Sequence, residues 1–119
     1  MRKGSLIGAW LLLCVGALMP AAANADPTPS YTITCVVGGM TTANWSRAKL
    51  DQVTLEWFAA GSTNAYASVS MPVQRPTPPK GFVASSAGTN VGGNIPSTVR
   101  VSFRHADGSG SDAEVVSCA

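Results

Sequence analysis

The chain has 119 residues, of which 45% are hydrophobic and 12% charged, and its formal net charge is +2. Two of its basic residues, Arg2 and Lys3, lie at the extreme N-terminus, so residues 26–119 carry six basic and six acidic side chains. A neutral segment of this size offers no general electrostatic attraction to nucleic acid or anionic lipid, and it supports one thin core with little room for a deep catalytic cleft.

The first 25 residues have the three parts of a secretory signal peptide. Arg2 and Lys3 give a positive start, an apolar run follows from Leu6 to Leu18, and small residues end in an A-x-A site at Ala23-Asn24-Ala25. The apolar run is too short to span a bilayer, and no stop-transfer pattern follows it. The sequence predicts a signal peptide at residues 1–25 and an exported domain at residues 26–119, periplasmic or secreted, with no transmembrane anchor.

Cysteine usage fits an oxidising compartment. Cys14 falls in the predicted signal peptide, which leaves Cys35 and Cys118 in the exported domain. An even count in an exported domain indicates a disulfide, and the chain-entropy model assigns the closure of such a long loop roughly 4–4.5 kcal/mol. A C-x-x-C motif is absent from the sequence, so we predict a structural bond rather than a redox or metal site.

Alternation of apolar and polar residues predicts short β-strands along most of the exported domain. The predicted strands span residues 31–37, 51–58, 65–73, 81–86, 98–104 and 113–118. Residues 41–50 lack a clear alternation and permit one short helical turn capped by Thr42 or Asn44. Five or six short strands with little helical signal predict an all-β fold, a small single-domain β-sandwich with one disulfide.

Thr32-Ile33-Thr34-Cys35 resembles the first cysteine strand of immunoglobulin domains. Residues 112–119 resemble the strand that carries the second cysteine, and a tryptophan, either Trp45 or Trp57, lies between the two. Val116 stands where that family has its corner tyrosine, and its usual last strand has no counterpart here. The resemblance therefore implies an immunoglobulin-like sandwich architecture without implying membership of the family.

The third predicted strand, residues 65–73, has the marks of a sheet edge. It contains Pro72, and proline cannot donate a hydrogen bond to a neighbouring strand. The segment that follows, residues 74–80, holds three further prolines and is predicted to be extended and exposed. An open edge beside a stiff segment predicts an interaction with another chain at this strand.

Phe58 and Tyr66 flank the turn at Gly61 and fall out of phase with the apolar faces of their strands. One interpretation places them close together on the outer face, where an exposed aromatic pair is suited to contact a protein or a sugar. They are the candidate binding residues. The alternative is that a second layer of the protein covers them.

The loop Asp107-Gly108-Ser109-Gly110-Ser111 reads D-x-S-x-S and resembles the magnesium-binding motif of von Willebrand factor A domains. That family is a much longer doubly wound α/β fold in which a long helix follows the motif, whereas only eight residues follow Ser111 here. The sequence therefore predicts a polar hairpin loop with no metal and no cofactor. A weak calcium site formed by Asp107, Ser109 and Asp112 is the alternative.

These features predict a non-enzymatic exported binding or interaction module of the cell envelope or exterior, with no catalytic residues. Its expected partner is another exported protein or a glycan, and not nucleic acid. The alternative is a small exported hydrolase or auxiliary enzyme, which would need Glu56, Glu114 or His105 to converge in one polar cleft. A flat surface with an exposed aromatic patch or an open strand edge would favour binding.

Overall fold

The structure is a computed structural model and describes residues 28–73, 79–89 and 91–119. The predicted signal peptide, and residues 74–78 of the proline-rich segment, lie outside these ranges. Within them, seven strands form two antiparallel sheets that pack together, which confirms the prediction of a small all-β sandwich. The strands are β1 Ser30–Cys35, β2 Thr41–Ser46, β3 Leu50–Phe58, β4 Ala67–Pro72, β5 Lys80–Ser85, β6 Thr98–His105 and β7 Ser111–Ser117, with a short 3₁₀ turn at Val91–Gly93 between β5 and β6.

The smaller sheet has the order β1-β2-β5 and the larger sheet the order β4-β3-β6-β7. Strand β4 lies at an edge, as predicted from Pro72, and Pro72 pairs with Gln52 near the start of β3. Its other long side has no partner strand among the described residues. The sequence pattern therefore located both the strand and its edge position.

The core lies between the sheets and comes mainly from two central strands of the larger one. From Val53 to Trp57 in β3 and from Val99 to Phe103 in β6 every second residue is buried, because successive side chains of a strand point to opposite faces of the sheet. The smaller sheet contributes less apolar volume, chiefly through Ala43 and Trp45. The buried apolar residues are Cys35, Ala43, Trp45, Ala48, Leu50, Val53, Leu55, Trp57, Val99, Val101 and Phe103.

Strand β2 lies within residues 41–50, where the sequence leaves the structure open and permits a short helical turn. Thr41–Ser46 is the central strand of the smaller sheet, and it pairs with β1 on one side and with β5 on the other. Its inward residues are Thr41, Ala43 and Trp45. The alternation of apolar and polar residues is hard to see in this strand because Thr41 is polar and Ala43 is small. Hydrogen bonds to residues outside the strand stabilise the inward Thr41, and the local sequence does not reveal them.

The predicted disulfide between Cys35 and Cys118 is confirmed, with the two Cα atoms 4.6 Å apart. Backbone hydrogen bonds hold the same region together. The Ala119 amide donates to the Cys35 carbonyl at 3.0 Å, and the Val37 amide donates to the Ala119 carbonyl at 2.7 Å. The last residues of the chain are thus joined to the end of β1 by one covalent bond and by this pair of hydrogen bonds.

None of the described residues belongs to a helix long and apolar enough to cross a lipid bilayer.

Candidate functional site: an uncharged end of the sandwich

The two ends of the sandwich differ in charge. At one end, three connections carry no charged side chain: residues 36–40, 59–66 and 86–97. The disulfide lies at this end, and the Thr89 hydroxyl joins two of the connections by donating to the Gly39 carbonyl at 2.6 Å. We call this surface the uncharged end. The opposite, charged end carries Arg47 and Lys49 between β2 and β3, and Asp107 between β6 and β7.

Exposed apolar side chains are concentrated at the uncharged end. Seven large hydrophobic residues in the described part of the chain are exposed, and five of them lie in these connections: Val36, Val37, Met40, Val91 and Ile95. The other two, Phe82 and Val115, lie on the outer faces of the two sheets. Such a concentration at one end marks a candidate interaction surface.

The β1–β2 connection at the tip of this end satisfies most of its own backbone donors. The Val36 amide donates to the Met40 carbonyl at 3.3 Å, and the Gly39 amide donates to the Val36 carbonyl at 3.0 Å. The Val37 amide donates to the Ala119 carbonyl. Since a buried backbone group without a partner is costly, these bonds lower the cost of removing the tip from water.

Phe58 and Tyr66 both lie at the uncharged end, but they do not form a pair on the outer face, because the protein itself covers Tyr66. Phe58 is outside, half-buried, with the Arg100 guanidinium carbon 5.3 Å from its ring centre. Tyr66 packs against the core, and its hydroxyl donates to the Gly88 carbonyl at 2.6 Å. Burial raises the pKa of Tyr66. The alternation of residues in β4 does not predict the direction of the Tyr66 side chain, because Tyr66 comes before the first residue of that strand.

At the charged end, three polar side chains join the two sheets. The Tyr31 hydroxyl of β1 donates to Asp112 Oδ2 of β7 at 2.5 Å, and His105 Nε2 lies 3.0 Å from the same oxygen. The hydrogen bond from Tyr31, supported by that from His105, lowers the pKa of Asp112. Burial and the bond to this carboxylate raise the pKa of Tyr31. Composition and alternation could not reveal this cluster, because Tyr31 is 81 residues from Asp112 in the sequence.

A cleft of about 790 Å³ opens beside this cluster, and its lining includes Arg47, Lys49, His105 and Asp107. Arg47 adopts a left-handed backbone conformation, with φ of 61°, which is uncommon for a residue with a side chain. Its Nε donates to the Thr28 carbonyl at 3.0 Å. The cleft borders both Pro29 and Pro79, beyond which the chain passes out of the described residues.

The Asp107–Asp112 loop is a hairpin connection between β6 and β7, as predicted. Asp107 Oδ1 accepts a hydrogen bond from the Ser109 amide at 2.8 Å. Hydrogen bonds from the Ser109 side chain and from this amide lower the pKa of Asp107. Within the described residues, no group of three or more His, Cys, Asp and Glu side chains is placed to hold a metal ion.

The candidate catalytic carboxylates do not converge. Glu56 lies on the outer face of the larger sheet and forms an ion pair with Arg100, with Nε and Oε1 2.9 Å apart. Glu114 is exposed on edge strand β7, where it pairs with the buried Val101 and lies on the same face of the larger sheet, opposite to the face of Glu56. His105, the third candidate, lies at the charged end against Asp112.

Comparison of the chain with protein-family models, with curated proteins and with solved structures finds no match.

Proposed function

We propose that this protein is an exported, non-enzymatic binding module of the cell envelope or exterior, and that its partner is another exported protein that docks on the uncharged end. One observation carries the proposal: five of the seven exposed large hydrophobic residues in the described part of the chain lie in connections that contain no charged side chain. Recognition residues often sit on loops held by a rigid scaffold, and this end has that construction.

A protein partner fits the chemistry of this end. Docking would bury aliphatic area without burying a charged side chain, which is the usual composition at the centre of an interface. The disulfide and the hydrogen bond between Thr89 and Gly39 hold the connections in place, so little conformational entropy is lost on binding. Export is supported by the signal-like N-terminus and by the disulfide, because disulfides form and persist in oxidising compartments.

Phe58 and Tyr66 remain candidate binding residues within this proposal, because both lie beside the same connections. Their roles differ in kind. Phe58 offers partly exposed apolar area to a partner, whereas the Tyr66 hydroxyl also holds the connection at Gly88 in place. Phe58→Ala should therefore weaken binding directly, and Tyr66→Phe should weaken it by loosening the β5–β6 connection.

The test is capture of a partner from envelope extract by the oxidised protein, followed by measurement of affinity with the purified partner. Replacing both Val37 and Met40 by Asp should weaken binding at least about tenfold, which is 1.4 kcal/mol. The matched control is Val115→Asp, which adds a charge at a residue on the larger sheet that is more exposed than either Val37 or Met40. Equal affinity of the double variant and the control, or binding to phosphatidylcholine vesicles in place of a protein, would contradict the proposal.

The cleft at the charged end is the one observation that favours the alternative, a small exported hydrolase or auxiliary enzyme. Among the candidate residues, His105 lines that cleft, while Glu56 and Glu114 do not. Hydrolysis of p-nitrophenyl acetate that exceeds the buffer rate and is lost in His105→Ala would support the enzyme over the binding module.

A further inference from the structure

The outer face of the smaller sheet is polar but almost uncharged. Its outward side chains form three rows, and each row crosses the strands β1, β2 and β5 in turn. Five of the nine side chains carry hydroxyl groups, one carries an amide, and only one is charged. The rows are Ser30–Ser46–Lys80, Thr32–Asn44–Phe82 and Thr34–Thr42–Ala84.

Phe82 is the exception on this face. Its side chain is 58% exposed, and it is the one aromatic residue among the exposed large hydrophobics of the described chain. It stands directly opposite Asn44 on the neighbouring strand. A shallow depression of about 400 Å³ lies here, lined by Asn44, Trp45, Lys80, Gly81 and Phe82.

Behind the depression, on the inner side of the sheet, lies a buried donor that has no acceptor among the described residues. Trp45 is only 4% exposed, and its indole Nε1 makes no hydrogen bond there. Gly81 lies against the Cε2–Cζ2 edge of the indole, next to Nε1, where any larger residue would collide with the ring. Trp45 and Gly81 face inward, so the indole N–H lies on the other side of the sheet from the row Thr32–Asn44–Phe82, and the case for a ligand in the depression rests on that row.

We propose that this depression binds a neutral saccharide. A sugar ring has an apolar face of C–H groups, which would pack on the exposed ring of Phe82, and a rim of hydroxyl groups. Those hydroxyls both donate and accept, as do the amide of Asn44 and the hydroxyl of Thr32 in the same row. Eight of the nine outward side chains are uncharged, and Lys80 stands at the end of another row, so the row Thr32–Asn44–Phe82 suits a ligand without charge.

The flat geometry of the sheet suits a chain of sugar units rather than a single one. The row Thr32–Asn44–Phe82 crosses three adjacent strands, which lie about 4.8 Å apart in a sheet. The row therefore covers a length on the order of two sugar rings. This surface is separate from the uncharged end, so the inference goes beyond the proposed function and does not depend on it.

The experiment uses cellohexaose and maltohexaose as probes, added to the oxidised, isotope-labelled protein and followed by NMR. At least one probe should shift the amide signals of β2 and β5 at concentrations up to about 10 mM, the weak range expected for a shallow site. Phe82→Ala and Asn44→Ala should each weaken that binding at least about tenfold, and Phe82→Tyr should retain it. Val115→Ala, which removes an equally exposed side chain from the other sheet, should leave it unchanged.

Three results would overturn the inference. One is the absence of shifts with both probes in a protein that remains folded. The others are binding that survives Phe82→Ala, and shifts that fall on another surface of the sandwich. Thermal melts of each variant establish that it is folded, which is expected because Phe82 and Asn44 are exposed.

Discussion

Among single residues, Tyr31 makes the best-defined polar link between the two sheets. Its ring stacks on Phe103 with the ring centres 4.1 Å apart, and its hydroxyl donates to Asp112. Tyr31→Phe keeps the stack and removes the hydrogen bond. We expect the free energy of unfolding to fall by about 1–2 kcal/mol, the range for a hydrogen bond to a partly solvated charged group. Thr32→Ala, on the outer face of the same strand, should change it by less than about 0.5 kcal/mol.

The same substitution should alter how stability depends on pH. The pKa of Asp112 is lowered in the folded protein, chiefly by the hydrogen bond from Tyr31 and also by His105. The contribution of this carboxylate is therefore complete above its unfolded value of about 3.9 and is lost as the pH falls through the lower folded value. Denaturant unfolding between pH 7 and pH 2 should show the stabilities of the parent and Tyr31→Phe converging at the acid end. A constant difference across that range would contradict this role.

Thr41 shows how a polar residue can belong in a core. Its Oγ1 accepts a hydrogen bond from Trp57 Nε1 at 2.9 Å and donates to Cys35 Sγ at 3.5 Å. Thr41→Val preserves the shape but leaves the buried indole N–H without an acceptor, so we expect a loss of about 1–3 kcal/mol in denaturant unfolding. In a Trp57→Phe background the same change should cost much less. Equal losses in both backgrounds would show that the hydrogen bond contributes nothing.

Strands are predictable from this sequence where their inward residues are large and apolar. Strands β3 and β6 present Val, Leu, Trp and Phe at every second position, so both were predicted almost to the residue. Strand β2 presents Thr41 and Ala43, and its placement depends on pairing with β1 and β5. Long-range pairing of this kind leaves no periodic signal in the strand itself. The inward turn of Tyr66 escaped prediction for the same reason, since the Gly88 carbonyl that holds it is 22 residues away.

The β5–β6 connection covers the core at Trp57, and the residue that makes this contact is Gly88. Gly88 is buried against the Trp57 indole, where a Cβ atom would collide with the ring. We expect Gly88→Ala to displace the connection and to destabilise the fold by about 1–3 kcal/mol, as overpacking usually does. Ser86→Ala, exposed in the same connection, serves as the control in thermal melts. An unchanged melting temperature for Gly88→Ala would mean that the connection does not close over Trp57.

For the molecule as a whole, the disulfide is the largest single contribution to stability that the sequence allowed us to predict. The intact mass of the oxidised protein should be two hydrogens lower than that of the reduced protein, and two alkylatable thiols would contradict the bond. Replacing Cys35 and Cys118 by Ser should lower the free energy of unfolding by up to roughly 4–4.5 kcal/mol. Such a loss is a large share of the 5–15 kcal/mol that holds a typical domain together.

Composition and the alternation of apolar and polar residues predicted the β-sandwich, but they did not predict the difference in charge between its two ends. Every connection at the uncharged end is visible in the sequence as a stretch without charged residues. Only the fold shows that these stretches meet at one end, because antiparallel pairing returns alternate connections to the same side. The candidate surface therefore depends on the topology. The sequence shows the three uncharged stretches, but it does not show that they lie at the same end of the sandwich.

The joining of β1 to the last residues of the chain also has a kinetic consequence. These contacts unite segments 83 positions apart, which is the kind of topology that folds slowly because the loop must close before its contacts can form. A chain in which Cys35 and Cys118 are already bonded has made that closure in advance. Refolding of the oxidised protein from denaturant should therefore be faster than refolding of the reduced protein, and formation of the bond should determine how quickly a reduced chain reaches its native state.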